Sequence, residues 1–351
     1  MTADPTSSDQ NYIFTAIRGI QAQKEYYSIM CPLKLVPRIF LFDEDELPPE
    51  LRAQRVLNKA RIPEISSYLV NNHTEYIFSS ITASVDGHVL FEPLAEEGLS
   101  RNVGRLSIPM TNRFIINDGQ HRRAAIEDAL KERPDLGHES ISIVLFIDLG
   151  LKRSQQMFAD LNKHAIRPTK SLGILYDHRD PMAILSRNLV DHVNIFNGMT
   201  DLEKTSISNR SPKLFTLNSI YQATKHLLGK SKKDVVTESD VETAIEFWNE
   251  VTQNVPDWQL AKNKEVAPVA LRNTYIHAHG VCLVAMGRMG NALINAHPRG
   301  WKTKLKGLKK IDWSKSNTGL WGGVLRNGKI IKSADSTTQA EQIIKKSVGM
   351  E

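Results

Sequence analysis

The 351-residue chain holds only two cysteines, Cys31 and Cys282, far apart in sequence. Two isolated thiols give neither a disulfide framework nor a zinc ligand set, and they fit a reducing, cytoplasmic setting. Nowhere do 18 or more apolar residues run together, so no membrane span is expected. The first ten residues have no basic start and no apolar core. They do not read as a signal peptide, and residues 1–10 are expected to be disordered. The phosphate loop G-x-x-x-x-G-K-[ST], the dinucleotide fingerprint G-x-G-x-x-G and the zinc motif H-E-x-x-H are all missing. His121, His164, His178 and His192 are scattered, without metal-ligand spacing. Asp118 and His121 stand three apart, but a metal there would need a third ligand that the sequence does not identify.

What is present is ordinary in bulk: 41% hydrophobic residues and 24% charged ones, the composition of a globular protein with room for two or three domains. The net charge is +6, and its distribution says more than its size. From Arg299 to Lys332 there are ten Lys or Arg and one acid, Asp312, with Trp301, Trp313 and Trp321 interleaved. A basic segment carrying aromatics suits the phosphate backbone of DNA, with Lys302, Lys304, Lys306, Lys309, Lys310 and Arg326 as contacts. The competing reading is a solvated basic flank that its tryptophans pack in place.

The chain is organised around residues 113–126. Phe114, Ile115 and Ile116 read as a buried strand, Asn117-Asp118-Gly119 as a turn, and Gln120 to about Arg133 as a helix. Ala125, Ile126, Ala129 and Leu130 form the expected inner face, with Arg123, Glu127 and Lys131 on the outer one. The first turn of a helix carries unpaired N–H groups and partial positive charge, and Gly119 leaves room for close approach. Gln120, His121 and Arg122 offer donors to a phosphate-like anion there. Equally, Asp118 could be an N-cap, Gly119 a turn glycine, and Arg122 the partner of a structural carboxylate.

Strands are expected at 12–20 and 26–33, with Cys31 toward the end of the second, reading as a buried apolar residue first and as a redox or DNA contact second. A helical region opens at Leu47, and another helix covers 61–70. Alternation over 77–85 followed by Asp86-Gly87 reads as a hairpin whose return strand begins at Val89. Further strands are expected at 106–110 and 142–147, and helices at 154–164 and, capped by Thr169, through Tyr176. Asn162, Lys163, His164, Arg167 and Lys170 cluster at that helix junction, either as a solvated linker or as a second wall for the Asp118–Arg122 site. Residues 187–213 read as loops and 205–298 as a helical domain whose third helix runs from about Asn273 to Ile294. Thr237 to Asp240 offer capping residues, and an amphipathic helix lies within 334–351.

Asp118-Gly119-Gln120-His121-Arg122 matches the signature of the DGQHR-domain proteins, and the chain resembles the DndB type within that family, associated with bacterial DNA phosphorothioate modification. The likeness extends to the 61–69 and 76–78 segments, to Phe158–Asn162 with Ala165 and Ser171-Leu172, and to Trp313, Trp321 and the Asn327-Gly328 turn. Gly119, Arg122 and Ala125 are also similar to the G-x-x-R-x-x-A box of ParB-type proteins. Sulfiredoxins have a related helix start with a cysteine where this chain has Gln120, which argues against their chemistry.

The resemblance implies an α+β protein: a ParB-like α/β domain with a mixed sheet over 11–204, a helical domain over 205–298 and a basic C-terminal segment over 299–351. It implies a DNA-binding transcriptional regulator, a repressor of the modification gene cluster, rather than an enzyme. The expected partners are double-stranded promoter DNA, other proteins of the modification system and a second copy of the chain. Asp118, Gly119, Gln120, His121, Arg122, Arg123 and Asn162 are the expected phosphate, nucleotide or DNA contacts. The alternatives are a nucleotide-dependent switch at Gly119–Arg122 and a ParB-like nuclease using Asp118 and His121.

Overall fold

The computed structural model describes residues 10–40, 59–149, 153–163, 168–231 and 234–350. Of the disorder expected at 1–10, residues 1–9 lie outside them, as does the helical region opening at Leu47, while the Gln10 carbonyl accepts from the Met110 N–H at 2.9 Å. The chain divides into two compact units, residues 1–166 and 167–351.

The first unit is built on a seven-stranded mixed sheet, in line with the α+β expectation. Its strands are β1 (Asn11–Gln21), β2 (Lys24–Pro32), β3 (Ile81–Asp86), β4 (Leu90–Pro93), β5 (Val103–Pro109), β6 (Arg113–Asp118) and β7 (Ser140–Ile147). Their order is β4-β5-β1-β2-β7-β3-β6. Every pairing is antiparallel except that of β3 with β7. The alternating residues Phe14 and Ala16, Tyr27, Ile29 and Cys31, and Ile141, Ile143 and Leu145 turn one face of the sheet into a core. Ala125, Ile126 and Ala129 of the helix Gln120–Glu132 pack into the same core, as that helix's periodicity predicts.

The expected hairpin at Asp86-Gly87 does not form. β3 pairs with β6 and β7, while β4 joins β5 near the opposite edge of the sheet. Gly87 has φ 142°, and an added Cβ would run into the Asn112 side chain. The Asn112 amide in turn donates to the His88 carbonyl at 3.0 Å. The turn is thus packed against the β5–β6 connection, and the chain goes on to a different partner strand.

The second unit is helical. A single core runs from Met182 to Val348 and includes Trp248, Trp258, Trp301, Trp313 and Trp321, so the tail packs with the helices instead of standing apart. The helix expected from Asn273 is two helices, Pro268–Thr274 and Gly280–Ala296, and residues 187–192 belong to the helix Pro181–His192. Gly287 brings Gly280–Ala296 against the backbone of Ala223 on the helix Leu217–Leu228, where any side chain would collide. The caps read from sequence are present: Thr169 accepts from the Leu172 N–H, and Thr237 with Asp240 forms a capping box. The helix expected in the tail is Ala334–Ser347. Among the described residues no helix is long and apolar enough to cross a membrane.

Candidate functional site

The signature stretch sits where β6 runs into the helix Gln120–Glu132. Asn117 and Asp118 are not turn residues; they are the last two residues of the strand. Gly119 alone makes the turn, in a left-handed conformation with φ 109°. An added Cβ would lie 3.0 Å from both Arg122 Nη2 and Ile81 Cγ1, so glycine is required on conformational and steric grounds together.

Arg122 folds back across that glycine. Its Nη2 donates to Asp118 Oδ2 at 2.7 Å and to the Ser80 carbonyl at 3.0 Å, just before β3. Of the two arrangements open in the sequence, the structure has the one in which Arg122 pairs with a carboxylate of its own chain. Asp118 does not cap the helix, because Gly119 holds the N-cap position and no side chain bonds there. Arg122 Nε is buried and has no hydrogen-bond partner among the described residues. The pair thus ties the end of β6, the helix start and the entry to β3 into one latch.

Gln120 is buried, its amide donating to the Ile116 carbonyl at 3.4 Å. His121 is half-buried. Burial, followed by the charges of Arg61 and Arg122, holds its pKa below the ordinary imidazole value, against the opposing pull of Asp118. A neutral imidazole is therefore favoured at neutral pH, a weaker partner for phosphate than an imidazolium.

Arg123 is not on the outer face. It is 8% exposed, with Nε donating to the Phe40 carbonyl at 2.9 Å, Nη2 to the Pro37 carbonyl at 3.3 Å and Nη1 to Glu127. Its donors clamp the short helix Val36–Ile39 to the signature helix.

Beneath the latch lies a polar relay that the sequence reading missed. The buried Asn117 donates through Nδ2 to Ser84 Oγ at 2.7 Å and accepts at Oδ1 from Ser154 Oγ at 2.7 Å. It joins β6 to β3 and to the start of the helix Ser154–Lys163. The signal available in sequence was a lone asparagine ending an apolar strand. Asn162 lies on that helix; its side chain, like that of Lys163, is outside the described residues, as are His164 and Arg167.

Cys31 lies fully buried in β2, and burial pushes its thiol up to about 12, so no reactive thiolate forms at neutral pH. Among the described residues no three His, Cys, Asp or Glu side chains are grouped to hold a metal ion.

The basic C-terminal stretch separates into two populations. Its tryptophans are core: Trp313 and Trp321 stack with ring centroids 5.6 Å apart, and their indole N–H groups donate to the carbonyls of Leu308 and Asp312. They offer no stacking surface to bases. Most of the cations are exposed, while Lys304 and Lys315 are half-buried. Lys302 pairs with Glu246 at 3.0 Å, and Lys304 donates to the Gly349 carbonyl at 3.3 Å. Lys306, Lys309, Lys310 and Arg326 are exposed, and none has an ion-pair partner among the described residues.

A family model described as DndB, DNA-sulfur modification-associated, matches residues 14–351. No curated protein and no solved structure matches the chain.

Proposed function

Because the chain belongs to the DndB family of DNA-sulfur modification-associated proteins, we propose that it is a non-enzymatic, DNA-binding regulator. In this reading it represses a DNA phosphorothioate modification gene cluster. The supporting observation is the exposed trio Lys306, Lys309 and Lys310 on the short helix Lys306–Lys310, with Arg326 as a further exposed cation, none of them ion-paired among the described residues. Such ammonium groups gain most from phosphates, because no carboxylate competes for them and each contact releases condensed counterions. The buried tryptophans fix the backbone that carries these lysines and leave the contact electrostatic. Promoter DNA is the proposed partner, bound by a homo-oligomer whose symmetry matches a palindromic operator. Other proteins of the modification system are further proposed partners.

A hydrolytic switch or nuclease at Asp118 and His121 has less support. Asp118 is held by Arg122, and burial disfavours the charged form of His121.

The test is fluorescence anisotropy with the cluster's promoter duplex and an unrelated duplex, at about 50 and about 200 mM salt. Promoter-selective binding that weakens steeply with salt, and whose log–log salt slope falls by about 2–3 in Lys306→Gln/Lys309→Gln/Lys310→Gln, supports the reading. Salt-independent binding, or a slope unchanged in the triple variant, removes it.

A further inference from the structure

The second unit carries an open pocket of about 880 Å³, lined by residues between Thr205 and Thr337. That size falls in the range of small-molecule and cofactor sites. The lining includes Arg272, Lys315, Lys329, Lys332 and His279, and no aspartate or glutamate.

Two of these cations are uncompensated. Arg272 is only 7% exposed, and its guanidinium donates solely to backbone carbonyls, those of Lys213, Ser208, Asn209 and Ser211. The Lys315 ammonium donates to the Arg272 carbonyl at 2.6 Å, which also bonds His279 Nε2 at 2.8 Å. Neither cation has an ion-pair partner among the described residues. A buried charge normally has a counter-charge, because neutral acceptors recover only part of its lost hydration. Here the missing counter-charge faces a cavity.

Backbone polarity adds to this field. The first turns of three helices line the same space: Leu217–Leu228 through Asn218 and Ser219, Gly280–Ala296 through Gly280 and Val281, and Ala334–Ser347 through Ala334 and Thr337. Each helix presents its partly positive end, and Gly280–Ala296 has no side-chain cap to absorb it.

We infer that this cavity is a binding site for a small phosphate-bearing anion, up to a nucleoside triphosphate in size, held by Lys315, Lys332 and the converging helix starts. The site is separate from the Asp118–Arg122 latch and stands whether or not the DNA reading does. In a regulator it is where a soluble effector would act.

The experiment is isothermal titration of the full-length protein with inorganic pyrophosphate and with ATP. The same titrations are run on Lys315→Gln, Lys332→Gln and Arg122→Ala, each shown by circular dichroism to be folded at the titration temperature. The expected result is one site per chain, weakened at least tenfold by Lys315→Gln, weakened again by Lys332→Gln and unchanged by Arg122→Ala. If Lys315→Gln disturbs the fold, the exposed Lys332 carries the test alone. The inference fails if neither probe binds, if the lysine variants bind as wild type, or if Arg122→Ala abolishes binding. Displacement of pyrophosphate by an unrelated duplex would put DNA in the cavity and overturn it as well.

Discussion

Arg122 and Arg123, at the start of the signature helix, resemble a phosphate-binding pair, yet both are engaged by their own chain. Arg122 holds Asp118 and the Ser80 carbonyl; Arg123 holds Glu127 and the carbonyls of Pro37 and Phe40. In the second unit, among the described residues, Arg272 and Lys315 meet only neutral carbonyls, and Lys306, Lys309 and Lys310 meet no carboxylate. A basic residue with an internal counter-charge stabilises the fold, whereas one without it is available to an external anion. Counting cations along a sequence does not separate the two classes; their partners do.

The sharpest way to break this contrast is to remove a cation assigned to the fold. Arg123→Ala leaves two carbonyls without their donor and should cost about 2–4 kcal/mol of stability, read from urea midpoints at constant m-value. The uncompensated region should show its character in acid. His279 is half-buried, and desolvation, followed by the charge of Lys315, takes its pKa down to about 4 from an unfolded value near 6.5. On acidification the unfolded chain takes up the proton first, so stability is fully present above about pH 6.5 and falls toward pH 4, by up to about 3 kcal/mol. His279→Gln, whose amide can still donate to the Arg272 carbonyl, should flatten that slope between pH 6.5 and 4.5 in denaturant titrations; an unaltered slope would place the proton uptake elsewhere. Gly119→Ala forces a left-handed alanine against Arg122 and Ile81 and should cost about 1–3 kcal/mol, a lowered melting temperature being the readout. Asp118→Asn removes only a half-exposed partner of Arg122 and should change stability by less than about 1 kcal/mol. Smallest of all, the Lys306→Gln/Lys309→Gln/Lys310→Gln variant should stay within about 0.5 kcal/mol of wild type, because surface charges without partners stabilise nothing.

The strand–turn–helix at the signature was legible because apolar period and turn chemistry agree there. Arg123 was misplaced because it sits at the border of the helix's faces: grouping it with Glu127 and Lys131 ignored that Ile126 and Leu130, three and seven residues on, share its side. For the tryptophans the packing alternative is the one the structure has. Trp301, Leu305 and Leu308 repeat at helical spacing and are all buried, a core stripe hidden beneath the lysines between them. The β1–β2 hairpin turns at Ala22 and Gln23, both with positive φ, and lacks the Asn-Gly or Asp-Gly signature, while the Asp86-Gly87 that carries it makes no hairpin. The cavity in the second unit draws on residues from Thr205 to Thr337, and no local pattern connects them.

The central claim is that the lysines at 306–310, and not the signature arginines, contact DNA. The direct measurement is a side-by-side promoter titration of wild type, Arg122→Ala and the triple lysine variant at two salt concentrations. The expected result is a reduced salt slope and weaker binding in the lysine variant alone, with Arg122→Ala following wild type once its folded fraction is matched. Loss of binding in a folded Arg122→Ala protein, with the lysine variant unaffected, would contradict the claim and move the DNA contact to the Asp118–Arg122 latch.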